Sequence, residues 1–256
     1  MAGGFLTFSP EYFLTLMEIL SFIHSIWFII ILLVAGGTFA YTTGKLTLAA
    51  TVTGMISALL IHVGAGLPAL LMLTTFFILG TAATSYRKEY KLKMQLAELR
   101  GGKRKMSQVL ANAGAATILA VVSIVTGYDG AFLQVMIAGS FASATGDTLS
   151  SELGNLYGKN YYNILTLRKD KRGLDGVISL EGTLFGIMGS VLIALIYTTF
   201  FGCGFAFFAI IIAGIAGNLF DSLLGALFER QGWMGNDVVN FLTTAFAALV
   251  AFLSMQ

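Results

Sequence analysis

Cysteine occurs once in these 256 residues, and proline and histidine twice each. A lone thiol, Cys203, excludes an intramolecular disulfide and any cysteine-rich metal centre. His24 and His62 lie in apolar runs with no partner at metal-ligand spacing, so they read as packing or interface residues. Charge is scarce too: 11% of residues are charged, against about 25% in soluble domains. The start, Met1 to Tyr12, lacks the basic n-region of a signal peptide, and nothing there reads as cleaved. With no transit peptide either, a prokaryotic cell (inner) membrane is expected rather than a plastid envelope. There is no G-x-x-x-x-G-K-[ST], no G-x-G-x-x-G and no H-E-x-x-H. Any nucleotide must be held by something other than a soluble nucleotide-binding fold, and no nucleic-acid partner is expected.

Apolar residues are abundant: 57% of the chain is hydrophobic and the mean hydropathy is +0.84. Thirty glycines suit helices packed closely in a bilayer. The fold class expected is all-α, one polytopic transmembrane bundle over residues 1–256. Apolar segments of about 20 residues mark spanning helices. They predict eight: 12–36, 46–63, 67–86, 107–127, 130–150, 179–200, 204–227 and 237–254. Glu11 and Glu18 leave the entry point of the first one open. The charges test this count. All 15 lysines and arginines fall in the first, third, fifth and seventh loops. These loops share one side, which the positive-inside rule makes cytoplasmic, with both termini outside. The third loop, 87–106, is basic, with Leu92, Leu96 and Leu99 among its charges. It reads as an anchor or as an interfacial helix, and Gly101-Gly102-Lys103-Arg104-Lys105 suits a phosphate-facing turn. The loop over 151–178 is the second basic cytoplasmic segment.

Acids stand at the cytoplasmic ends of these helices. Asp147 and Glu152 close the fifth segment, Glu181 opens the sixth, Asp221 lies in the seventh, and Asp237 opens the eighth. A carboxylate in such a segment is costly and is a functional-site hypothesis by default. Gly139, Ser143, Asp147 and Ser150 share a helix face, as do Gly214, Asn218, Asp221 and Gly225. The stripes themselves read as helix packing. The two acids recur as Asp147-Thr148-Leu149 and Asp221-Ser222-Leu223, each followed by a loop and a polar helix start, which suggests parallel helix-hairpin repeats. Asp147 and Glu152 are separated by roughly 140° around a helix. If both serve one site, the helix must end or unwind near Ser150-Ser151. Carboxylates and amide oxygens make a hard-oxygen site suited to Mg²⁺ with substrate phosphates, and nearby cations would neutralise those phosphates. Phosphoryl transfer at a membrane face needs these parts. A secondary transporter remains a rival, although transporter sites lie near the midplane. A CDP-alcohol phosphotransferase would need a dense run of aspartates that is missing here. In a non-catalytic scaffold the acids would only fix helix register.

Five stretches come in the order and spacing of one integral-membrane family: Ser107-Gln108-Val109-Leu110-Ala111-Asn112, Gly146 to Gly154 (GDTLSSELG), Gly176 to Thr183 (GVISLEGT), Phe220 to Ala226 (FDSLLGA), and Asn236 to Phe241 (NDVVNF). The chain resembles, over roughly residues 36 to 250, the family of the plant phytyl-phosphate kinase and the animal transmembrane protein nineteen. Ser-x-Glu-Gly-Thr also resembles a motif of the dolichol and phytol kinases, which use CTP. Glu181 is present here where some members lack an acid, which favours the kinase branch. Arg104-Lys105 stands where relatives tend to show Arg-Asn. The resemblance implies a CTP-dependent kinase that converts an isoprenyl monophosphate (phytyl, geranylgeranyl or farnesyl) to the diphosphate. A polyprenol or phytol kinase acting on the alcohol is the alternative. On that reading Asp147, Glu152 and Asp221 hold Mg²⁺, and Glu181 and Asp237 orient that shell or the nucleotide. Asn112, Asn218 and Asn240 give polar support, and Arg104, Lys159 and Arg172 grip phosphates. The isoprenyl tail lies between helices, in contact with lipid.

Overall fold

The longest apolar stretch of the chain is broken by one glycine. In the computed structural model, which describes Ser21, residues 25–94 and residues 103–256, Leu48–Ser85 is a helical element kinked at Gly66. Gly66 has φ 76° and ψ −171°, a conformation that residues with a Cβ avoid. The kink turns one apolar element into the two passes expected over 46–63 and 67–86.

The elements in chain order are α1 (Ile26–Thr42), α2 (Leu48–Ser85), α3 (Lys88–Lys93), α4 (Met106–Thr126) and α5 (Ala131–Tyr157). After a two-stranded antiparallel ribbon, β1 (Tyr162–Asn163) and β2 (Val177–Ile178), come α6 (Leu180–Phe201), α7 (Phe205–Leu224) and α8 (Asn236–Leu253). A π-helical turn, Gly225–Glu229, extends α7. The protein is thus an all-α polytopic bundle with eight helices among the described residues, five of them long and apolar enough to cross a membrane. Helix starts follow local chemistry: the hydroxyls of Ser25, Thr47 and Ser179 accept from the N–H groups of Phe28, Ala50 and Gly182.

Two helices differ from expectation in their bounds. α1 begins at Ile26, capped by Ser25, and runs to Thr42 where a segment over 12–36 was expected, and Glu11, Glu18 and His24 lie outside the described residues. α5 continues to Tyr157, so the helix neither ends nor unwinds at Ser150-Ser151, and the connecting loop begins at Gly158 rather than 151. In the third loop residues 87–94, which include α3, and residues from Lys103 on are described, while Leu96, Leu99 and Gly101-Gly102 fall outside.

α5 is the central helix. Every residue from Ile137 to Gly146 is buried, and α2, α4, α6, α7 and α8 all pack on it. It is also the least apolar of the long helices, because it has no lipid-facing side to cover. Gly139 faces Ala247, Ala213 and Ala251, Gly146 faces Ser190, and Gly154 faces Gly182. Small residues set these close approaches.

The basic loops are tied together on one face. Arg104 N–H donates to Lys45 O at 2.9 Å, and Thr47 N–H to Arg104 O at 3.1 Å. Lys45 Nζ donates to Ser85 Oγ (2.8 Å) and Tyr157 Oη to Tyr86 Oη (3.0 Å). Arg230 pairs with Asp170 at 2.8 Å.

Candidate functional site

The site grows from the ends of α5 and α7 on that basic face. Both helices are lined with small residues, so their backbones come close and carry Asp147 and Asp221 toward each other. The two carboxyls lie close enough to interact directly, and both line one cavity. They border a cavity of about 160 Å³ whose walls include Ser150, Asn155, Asn218, Asp175, Glu229 and Asn236. The loop Gly173–Ser179 forms one side. Gly176, at φ 72°, lies against Ala226 of the π-helical turn, where a Cβ would meet the Ala226 Cα at 2.6 Å. Tyr161 Oη donates to the Gly154 and Gly158 carbonyls (3.0 and 2.9 Å) and closes another side.

Four carboxyl groups thus line or face one small cavity, and no basic side chain among the described residues lines it. Asp221 Oδ1 is buried with no hydrogen-bond partner among the described residues. Two carboxylates in contact cannot both stay charged without a proton or a cation between them. No three carboxylate, imidazole or thiolate groups among the described residues converge on one point. A cation held here would take Asp147 and Asp221 and complete its shell from water and phosphate oxygens. That sparse set of hard oxygen donors is what Mg²⁺ accepts.

Of the other residues expected at the site, Asn218 lines the cavity and the rest do not. Glu152 does not line this cavity: on the continuous helix it turns to the α2–α3 side and accepts from Lys91 Nζ at 2.5 Å. Lys91 is 1% exposed and also donates to the Ala83 carbonyl. Arg104 sits with its guanidinium over the rings of Phe76 and Phe77, 5.3 and 6.0 Å from their centroids. Burial lowers its pKa and the nearby Glu152 carboxylate acts against that. Glu181 accepts from the Lys159 N–H at 3.3 Å, with the Lys159 residue exposed. Arg172 lies near Tyr161, whose pKa is raised chiefly by burial. Asn218 lies against Gly186 in the cavity wall. Asp237 opens α8, but it is Asn236 that lines the cavity. Asn112 donates to the Gln108 carbonyl (2.9 Å), and Asn240 Oδ1 is buried without a partner among the described residues. Sequence reasoning missed Asp175, Glu229 and Lys91. Asp175 precedes a turn glycine, a detectable signal. Lys91 is one of eight cations in its loop, and nothing local singles it out.

Comparison with known proteins finds a family and several relatives for the chain. The family model described as Integral membrane protein DUF92 matches residues 29–248. The chloroplastic protein VTE6 of Arabidopsis thaliana is 34% identical over 198 residues, which cover 73% of this chain and 58% of that protein. The match therefore spans just over half of that relative's length. An uncharacterized membrane protein of Methanocaldococcus jannaschii is 38% identical over 194 residues, covering 73% of this chain and 76% of the relative. Another, from Synechocystis, is 33% identical over 189 residues, 71% of each. No solved structure matches the chain.

Proposed function

We propose a function on one premise: the chain belongs to the integral membrane protein family DUF92. It is a membrane-embedded kinase that uses CTP to convert an isoprenyl monophosphate to the diphosphate. The observation that carries this reading is the acidic cavity with Asp147 and Asp221 in contact at the ends of two packed helices. The family resemblance of the five motifs supplies the donor and the acceptor class.

In this reading Asp147 and Asp221 hold Mg²⁺, which when bound neutralises charge on the β- and γ-phosphates. Asn218 and Asn236 position the nucleotide, and the 173–179 loop covers it. Arg172 meets its outer phosphates from the rim. An acceptor oxygen of the lipid phosphate attacks the γ-phosphorus, the bond from that phosphorus to the β–γ bridging oxygen breaks, and CDP leaves. A phosphate monoester has a second pKa near ~6, so it is already anionic at neutral pH and no residue need act as a strong base. By the positive-inside rule the cavity faces the cytoplasm, in a prokaryotic cell membrane, with both termini outside.

The test is phosphoryl transfer by the purified protein with Mg²⁺. CTP, ATP, GTP and UTP are each supplied with phytyl, geranylgeranyl and farnesyl monophosphates and the matching alcohols. Diphosphate is expected with CTP, falling at least about a hundredfold in Asp147→Asn, the scale of losing a transition-state charge stabiliser. Transfer to the alcohols alone would replace the acceptor, and transfer from no nucleotide would refute the kinase.

A further inference from the structure

A second cavity lies apart from the acidic one, among α1, both arms of α2, and α4. It holds about 260 Å³, and its walls are apolar: Leu33, Met55, Ala58, Leu70, Phe77 and Val109. Glycines make the room. A Cβ at Gly36 would meet nothing within 4 Å, and one at Gly54 only Val109 Cγ1 at 4.0 Å. Ala40 and Leu32 both line it, roughly 12 Å apart along α1. Leu32 is 52% exposed, so the cavity opens sideways to the surroundings of the bundle.

Among the described residues, Arg104 is the only ionised side chain that lines this cavity. Its guanidinium stacks on Phe76 and Phe77, and no carboxylate among the described residues lies within ion-pair distance, Glu152 being paired with Lys91. Arg104 is half-buried and the nearby Glu152 carboxylate is engaged by Lys91, so the guanidinium is only partly compensated and an anion at that point would relieve it. The guanidinium also packs over Gly80, where a built Cβ would lie 2.5 Å from Arg104 Nη2 and 3.4 Å from Thr148 Cγ2. Thr148 follows Asp147, so the cationic end of the apolar cavity and the acidic cavity flank the same turn of α5.

We propose that this cavity seats the prenyl chain of a prenyl monophosphate, with its phosphate against Arg104 and its far end leaving past Leu32 into the bilayer. The identity of the head group rests on the kinase reading. The cavity then selects a single slender chain, and Arg104 brings the acceptor phosphate to the α5 turn that carries Asp147. Glu152 is a positioning residue that holds Lys91 and the region around Arg104.

The experiment measures equilibrium binding of radiolabelled geranylgeranyl monophosphate to the purified full chain without nucleotide, beside Gly54→Phe. The variant is expected to bind the lipid about tenfold or more weakly, with CTP binding unchanged. Should Gly54→Phe fold poorly, a farnesyl monophosphate bearing a terminal diazirine replaces it as the test. Its adducts are expected on peptides of α1 and the first arm of α2, and adducts confined to α6–α8 would overturn the proposal. Undiminished binding to a well-folded Gly54→Phe would also overturn it, as would equal displacement by phosphatidic acid. If wild type forms no diphosphate yet binds the lipid and loses it on Gly54→Phe, the kinase reading fails and the chain site stands. If diphosphate forms and Gly54→Phe binds and reacts as wild type does, the chain site fails and the kinase stands.

Discussion

Asp147 and Glu152 sit five residues apart on one helix and meet opposite surroundings. Asp147 faces the Asp221 carboxyl, whereas Glu152 compensates a lysine that is 1% exposed. Their angular separation of roughly 140° was legible from helix geometry alone. Which of them faced the second acid was not, because that depends on how α7 packs on α5. Glu152→Gln is expected to leave the Lys91 ammonium poorly paired and to cost about 1–3 kcal/mol. A thermal melt of the purified variant should fall, while divalent-cation affinity stays at the wild-type value. The double variant Lys91→Met/Glu152→Leu should recover most of that stability, since replacing both partners with apolar groups removes the unpaired charge. A loss of cation binding in Glu152→Gln would return Glu152 to the metal set.

At the scale of elements, the loop from Gly158 to Ser179 is folded rather than slack. Its ribbon pairs Tyr162 with Ile178 and Asn163 with Val177, and Asn163 Oδ1 accepts from Leu165 and Thr166 N–H groups (3.0 and 3.1 Å). Asp170 clasps Arg230 just beyond the π-helical turn. The Arg230 hydrogen bond, with help from the Lys171 N–H, holds the Asp170 carboxyl below its usual value. A depressed carboxyl pKa adds stability that is present above the unfolded value near ~3.9 and lost as pH falls through the folded one. The loop should therefore become more open to proteolysis as pH falls below ~3.9, with an acid-active protease. Asp170→Asn should show that sensitivity already at neutral pH; equal cleavage of wild type and variant at both pH values would contradict the clasp. Starts of α2 and α6 were readable to within two residues from where the apolar runs begin, whereas α1, expected from residue 12, begins at Ile26. The π-helical turn was not readable: its Arg230 N–H to Gly225 O bond (3.0 Å) accompanies the seating of Gly176 on Ala226, a contact between distant residues.

The whole molecule follows from its solvent. A chain of such composition must satisfy its backbone internally, so helices with their lysines and arginines confined to loops are dictated by the bilayer, and they were legible from apolar run length and the lysine pattern. The central position of α5 left a trace as well, in its serines, threonines and glycines. The apolar cavity left none, since it is space that α1, α2 and α4 fail to fill rather than a pattern in any one of them. What unites the molecule is a bundle that brings two carboxyls together at one face, an arrangement that favours a proton or a cation between them. Electron paramagnetic resonance of Mn²⁺, titrated into purified protein with CTP, reads that directly. Wild type should show protein-bound Mn²⁺, and Asp221→Asn should bind it at least about tenfold more weakly while its melting temperature without metal is unchanged or higher. Wild-type Mn²⁺ affinity in a folded Asp221→Asn protein would contradict the account.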